Sequence, residues 1–522
     1  MGAKVSFWGR GSVGQITWRG PVRHRVTRGR TRGHAAGCVS RAALEQPPAR
    51  ADARAGRAGQ RLFIAGGRPA RAARGPRMNA APPPRKFRTD DAGTFGQYTA
   101  RERWPRILQN CLEDLAAEHA EGAAAAQLRE LTAQVAALKA DVEADRALEF
   151  FSAAEERSAH VPASFNSALA SSGSRSWLAA EWLTCEIYLY RRLDVLVRAQ
   201  PAWREHDVFE RVKRETFRQS GRGVVELAQW FCGAATQLAR SRDALEPLFR
   251  EFVDISLWGN ATDLSLLTNV TAAEIESLQG AQARAAAEAR VLVNDTAAAW
   301  AGLSAGPPGR VDFVLDNSGF ELYADLLFAL FLLDAGLAAE VVFHTKDIPY
   351  MVSDTMDKDV EQLLADLEDG AFFAVGAAER EALDEVATRV RAALAAGRLR
   401  LRADSFWTEP QDFWELVPGH AVFEELRQAR LVVFKGDLNY RKLTGDRRWP
   451  RETPWATALG PLARHGLRVL SLRTCKADVV VGLPAGVDER LCAEWEREGH
   501  EHGSWWATCG RWAVVSYCDG KY

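Results

Sequence analysis

The chain has 522 residues, 47% apolar and 26% charged, which is ordinary for a globular protein and long enough for two or three domains. Its formal net charge of −1 conceals a split: residues 1–77 carry sixteen Arg and Lys4 against Glu45 and Asp52 (+15), and the other 445 carry 50 basic against 66 acidic groups (−16). An acidic folded part argues against a nucleic-acid partner, and with no run of about 18 apolar residues a membrane span is not expected.

Residues 1–77 are rich in Arg, Gly, Ala and Pro without periodicity, so an extension to residue 87 is expected to be disordered. An organellar transit peptide and a start of translation at Met78 are both consistent with it. It includes Gly9-Arg-Gly11-Ser-Val-Gly14, a GxGxxG match, but Gly20 and Pro21 follow where a dinucleotide site needs a helix. Apolar residues then recur at helical spacing over Arg101–Ala117, Ala123–Leu148, Trp177–Leu196, Val208–Leu238, Leu245–Leu257 and Ala272–Trp300. They define a helical domain over 88–305, closed by the linker Gly306-Pro307-Pro308-Gly309.

Beyond the linker the texture changes to short β-rich runs at Asp312–Leu315, Glu340–Phe343, Phe372–Val375, Leu431–Phe434, Arg468–Leu472, Val479–Val481 and Trp512–Ser516. Helical stretches alternate with them at Phe320–Leu333, Val360–Leu367, Ala377–Ala395 and Pro454–His465. Alternation of this kind predicts an α/β domain over 306–522, doubly wound in three layers (α/β/α), with a mostly parallel sheet. The eight cysteines include no CxxC pair and fit reduced thiols of a cytoplasmic protein.

Four polar clusters each follow a predicted strand: Asp316-Asn317; His344 to Tyr350 with Ser353-Asp354-Thr355; Lys435 to Lys442; and Arg473 to Lys476. In a parallel sheet, strand ends of this kind face one crevice. Asp316, Asn317 and Asp354 offer hard oxygen ligands to Mg²⁺ or Mn²⁺. Arg473 and Lys476 offer positive charge to a phosphate, and Gly436 lets the backbone approach an anion. Spacing alone does not choose among Asp347, Asp354 and Asp357. Asp316-Asn317 also has a bland reading, as the cap of the helix that follows. Asp325 reads equally well as a helix-dipole partner or as a cleft residue, and Glu321 reads more readily as a helix-dipole partner.

The segments FVLDNSGFELYADL, HTKDIPYMVSDT, FKGDLNYRKLTGD, LRTCKADVVVGL, WLTCEIYLYRRL and LWGNATDLSLL occur in order, and with them the chain resembles the metal-dependent damage-control phosphatases, in the branch also named acidic residue methyltransferase. The resemblance covers about residues 88–522. It implies metal ligation by Asp316, Asn317 and Asp354, and substrate contacts from Gly436, Asp437, Leu438, Asn439 and Tyr440 and from Lys476 of the Arg-Thr-x-Lys motif. It also implies hydrolysis of small sugar phosphates, such as fructose 1-phosphate or fructose 6-phosphate, with Mn²⁺, Ni²⁺ or Co²⁺. Ser318 departs from the Ala more often found in relatives. On this reading Asp316, Asp437 and Lys476 are catalytic, with Asp437 either a general base or a holder of sugar hydroxyls. Water attack is favoured over a phosphoaspartyl intermediate on Asp316, because a carboxylate that ligates metal is a poorer nucleophile. The ligand is then a small phosphate ester, with no stable protein partner expected. The alternative is S-adenosylmethionine-dependent methylation of protein carboxylates, for which LDNSGFE lacks the glycine-rich loop.

Overall fold

The computed structural model describes residues 82–240, 245–259 and 288–522, with side chains left aside over 235–240. The expectations for residues 1–81, including the Gly9–Gly14 motif, and those for most of the segment LWGNATDLSLL and of Ala272–Trp300, lie outside these residues. Ala80–Tyr522 forms one compact unit.

Seven strands make a single sheet: β1 (Val291–Asn294), β2 (Gly309–Val314), β3 (Ala338–Thr345), β4 (Leu399–Ala403), β5 (Leu431–Lys435), β6 (Val469–Thr474) and β7 (Ala513–Cys518). Their order across the sheet is β1-β7-β6-β5-β2-β3-β4, and every neighbouring pair is parallel except β6 and β7. The expected mostly parallel, doubly wound α/β architecture is therefore present. From β2 the chain winds outward through β3 and β4, then returns to β5 on the other side of β2 and continues to β6. The winding reverses between β2 and β5, the place where such sheets open a ligand crevice.

Alternation along the strands explains the layers. Phe313, Val341, Val433 and Leu470 enter one core with the helices Leu245–Trp258, Phe320–Asp334 and Ala377–Ala395. Val314, Val432, Phe434 and Val469 enter a second core with the helices Trp104–Ala116 and Trp182–Arg198. Helices of the N-terminal half thus pack on both faces of the sheet. Phe320–Asp334 is buried along nearly its whole length, which is why it reads as apolar all round rather than amphipathic.

Several elements differ from the sequence reading. Phe372–Val375 is not a strand; Phe372 and Phe373 end a helical connection and pack on Phe217, with ring centroids 5.9 and 5.3 Å away. Val479–Val481 is extended but outside the sheet, and its backbone bonds go to side chains: Arg473 donates to the Val479 carbonyl, and the Val481 N–H donates to the Tyr440 hydroxyl. The edge strand β4, Leu-Arg-Leu-Arg-Ala, is largely solvated and gives no apolar signal. β1 was read as helix. The long helical pattern at 208–238 breaks at Ser220 into two helices. None of the seven described cysteines is in a disulfide, and no described helix is long and apolar enough to cross a membrane.

Candidate functional site

The four strands whose ends carry the polar clusters, β3, β2, β5 and β6, are contiguous and parallel, so their clusters meet at one rim. The loops after β2 and β3 are stitched together there. Ser318 N–H donates to the Ser353 carbonyl (2.7 Å), Thr355 N–H donates to the Asp316 carbonyl (2.8 Å), and Asn317 and Asp354 form an isolated bridge. Asp316, Asn317 and Asp354, 38 positions apart at the extremes, are thereby neighbours. Before Asp354 the chain passes through Met351 (φ 46°) and Val352 (φ 72°). A β-branched residue in the left-handed region is strained, and such strain collects at sites where surroundings dictate the backbone.

The amide of Asn317 has a fixed orientation: its Nδ2 donates to Asp316 Oδ2 (2.7 Å) and Glu321 Oε2 (2.8 Å), and its Oδ1 accepts from the Ser353 hydroxyl. Burial first, then Glu321 and Asp354, push the Asp316 carboxyl well above its ordinary value, against Lys346 and Lys476. Burial likewise lifts Asp354 to about 6, opposed by Lys346 at 3.2 Å. Asp354 Oδ2 is buried without an aligned hydrogen-bond donor among the described residues. Two buried carboxylates that repel each other could hold a hard divalent cation, while the Asn317 amide turns its nitrogen to Asp316 and its oxygen to Ser353.

Gly436 sits opposite, at the end of β5, with φ of +80°. A Cβ there would fall 1.9 Å from Asp316 Oδ2, so the Asp316 carboxylate occupies the space that only glycine leaves open. Asp437 Oδ1 accepts from Arg473 Nε (2.8 Å), Arg473 Nη2 (2.7 Å) and the Lys476 N–H (3.0 Å). That contact locks the loop after β6 to the helix after β5. Lys476 is half-buried, its amine held low by burial against the pull of Asp316, Glu321 and Asp437.

Other residues assigned to substrate by sequence are placed as braces. Arg473 is fully buried: beyond Asp437 it donates to Val479 O (2.6 Å) and Ala477 O (3.1 Å), and it stacks 4.3 Å from the Tyr440 ring centroid. Tyr440 is buried on Trp455. Asn439 Nδ2 donates to the carbonyls of Lys435 (2.7 Å), Val314 (3.2 Å) and Leu315 (3.3 Å), tying β5 to β2, and Leu438 is buried in the core.

Two lysines at the rim were not singled out by sequence. Lys346 Nζ bonds Leu315 O (2.5 Å) and pairs with Asp354. Lys435, with no exposure, holds Asp325 Oδ1 (2.9 Å), Glu321 Oε1 (3.1 Å) and the Ser256 carbonyl (2.6 Å). Lys435 ends β5 and Lys346 directly follows β3, both inside the polar clusters named above, and that position was the available signal. Glu321 lies beside Asn317 and Asp325 is one turn deeper on Lys435, the reverse of the order in which the sequence ranked these two acids for the cleft. Lys435→Met would leave both acids buried and unpaired; it is expected to cost about 3–5 kcal/mol of stability, readable as a lowered urea midpoint at unchanged slope.

Elsewhere, Glu186 pairs with Arg441 (2.7 Å) and Arg191 with Asp347 (3.2 Å), joining the helices to the α/β half. His500 stacks on Trp495 and lies 3.6 Å from Glu498, and Cys475 is buried with its thiol raised to about 11. Among the described residues, one group of three His, Cys, Asp or Glu side chains has its ligand atoms within 4.8 Å of one another: Asp114, Glu118 and His206, away from the sheet rim. Arg211 bonds both acids there, at 3.1 and 3.4 Å, so their charge is already countered.

The reversal point of this doubly wound sheet, where Asp316 follows β2 and Lys346, Lys435 and Lys476 lie at the ends of β3, β5 and β6, is the place where proteins of this architecture take up ligands. The family model described as Damage-control phosphatase ARMT1-like domain matches residues 99–491, and the chain belongs to that family. Relatives named Damage-control phosphatase ARMT1 include those of Homo sapiens (30% identical over 84% of this chain and 99% of the relative) and Danio rerio (30%, over 83% and 97%). The Mus musculus protein of that name is 33% identical over 67% of this chain and 76% of its own length. Among solved structures, a duf89 family protein from Pyrococcus horikoshii is similar over 80% of this chain and 97% of its own, at 12% identity and a TM-score of 0.36.

Proposed function

We propose that this protein is a metal-dependent phosphatase of small phosphorylated metabolites, with sugar phosphates such as fructose 1-phosphate and fructose 6-phosphate as its substrate class. The observation that carries the reading is the juxtaposition of Asp316, Asn317 and Asp354 at the reversal point, facing Lys476 across the Gly436 turn. Family membership supports the phosphatase class.

Asp316, Asn317 and Asp354 would hold the cation, with Mn²⁺, Ni²⁺, Co²⁺ or Mg²⁺ all compatible with oxygen donors. Bound there, the ion supplies Lewis-acid polarisation of the phosphoryl group. Lys476 places a positive charge where phosphoryl oxygens gain negative charge during transfer. Asp437 acts on Lys476 through its backbone N–H, fixing the loop that carries the amine. Arg473, Asn439 and Tyr440 hold this geometry from behind. Burial of Asp316 and Asp354 keeps bulk water away from these two carboxylates.

The test uses the full-length protein with fructose 1-phosphate and Mn²⁺, following inorganic phosphate release. Turnover that stops on chelation and returns with Mn²⁺ is expected. Undiminished turnover after exhaustive chelation would contradict the metal-dependent reading.

A further inference from the structure

We propose that Lys435 is a positioning residue for the cation site: its ammonium fixes Glu321, and Glu321 fixes the Asn317 amide. The inference rests on the metal-dependent reading above and deepens it.

Lys435 ends β5, next to the Gly436 turn that makes room for Asp316. Its ammonium has no exposure to water and meets three acceptors: Asp325 Oδ1 (2.9 Å), Glu321 Oε1 (3.1 Å) and the Ser256 carbonyl (2.6 Å). A lysine ammonium has three protons, so its donors are fully used. Ser256 lies in the last turn of the helix Leu245–Trp258, where backbone carbonyls run out of intrahelical donors. Glu321 and Asp325 lie in the first turns of the helix Phe320–Asp334. One cation thus ties a helix C-terminus, a helix N-terminus and a strand end. Two further contacts make this junction stiff. The Ser256 hydroxyl donates to the same Asp325 oxygen (2.6 Å), and Gly259 packs so close that a Cβ there would lie 3.3 Å from the Glu321 Cα.

The two oxygens of Glu321 have separate partners. Oε1 meets Lys435, and Oε2 accepts from Asn317 Nδ2 (2.8 Å). The second proton of that Nδ2 goes to Asp316 Oδ2 (2.7 Å). With both protons committed, the amide cannot turn over, and its Oδ1 stays on the Ser353 side. An amide oxygen carries two lone pairs, so the Ser353 hydroxyl leaves one for a cation. Lys435 therefore reaches a ligand through a single intervening side chain, and every link is a direct contact. Partners that orient a metal ligand typically contribute roughly 10- to 100-fold to metal affinity.

The alternative is that Lys435 only neutralises two buried acids. That role would cost stability when lost and leave metal affinity alone. Mn²⁺ binding to the full-length protein, followed by electron paramagnetic resonance of the free ion, separates the two. It is measured at a temperature where each variant keeps the wild-type circular dichroism. Lys435→Met is expected to weaken Mn²⁺ binding roughly 10- to 100-fold. At saturating Mn²⁺ its turnover of fructose 1-phosphate should return to within a few-fold of wild type, because Lys476 is untouched. Leu383→Ala, a buried truncation on the helix Ala377–Ala395, also destabilises the fold but should bind Mn²⁺ like wild type. If Lys435→Met does not fold, Lys435→Met with Asp325→Leu leaves one unpaired acid instead of two and should show the same loss. Wild-type Mn²⁺ affinity in a folded Lys435 variant would overturn this proposal alone. Weakened Mn²⁺ binding in that variant, with a parent that binds Mn²⁺ but hydrolyses no sugar phosphate, would support it and overturn the phosphatase reading. A parent that binds no Mn²⁺ would overturn both.

Discussion

Asp316→Ala is expected to lower phosphate release by at least about 10³-fold while the apo protein stays as stable as wild type or becomes more so. The first half follows from removing a ligand whose cation and lysine neighbours stabilise several kcal/mol of developing charge. The second follows from the packing around it. Asp316 is buried beside Glu321 and Asp354, and this repulsion is only partly countered by Lys346 and Lys476. Deleting one member of a like-charged cluster removes an unfavourable term from the folded state, as is common where function, not stability, fixes a residue. Mn²⁺ should raise the wild-type melting temperature through mass action and leave the variant unmoved. Thermal melts with and without Mn²⁺, next to the rate assay, check both halves. A variant that loses activity because it unfolds would contradict this account of the residue.

Gly436→Ala carries the second large effect. The backbone at this position is left-handed, which alone costs an alanine about 1–2 kcal/mol. The added methyl would also lie 1.9 Å from Asp316 Oδ2, so Asp316 or the β5 turn must move. The expected result is a loss of roughly 1–3 kcal/mol in urea unfolding and a fall in turnover of about 100-fold, since a displacement near 1 Å at reacting groups has that consequence. Gly436→Ala should also bind Mn²⁺ more weakly than wild type. Wild-type rates in this variant would mean that the crevice lies elsewhere.

Much of this site could be read from the chain because strand ends in a parallel sheet converge. Once β-rich runs and helices were seen to alternate, Asp316, Lys435 and Lys476 were bound to share a rim. What spacing could not supply was the identity of the third ligand. Asp347, Asp354 and Asp357 differ in the structure through backbone contacts that leave no local signature: Asp354 is drawn to Asn317 by the bridge between two loops, while Asp347 turns to Arg191 and Thr408. The same blindness affected Arg473. A positive residue beyond a buried strand resembles a phosphate ligand, but here its guanidinium closes on Asp437 and two carbonyls. Two strands were hidden for other reasons. β4 is an edge strand whose arginines face water, and β1 lies inside the stretch read as the helical domain, in a sequence rich in alanine that favours helix on propensity alone.

The most direct test is anomalous scattering from crystals of the full-length protein soaked in Mn²⁺. The account predicts one strong peak within about 2.0–2.3 Å of oxygens from Asp316, Asn317 and Asp354, at the end of β2. A peak held instead at Asp114, Glu118 and His206, with none at the sheet rim, would contradict it.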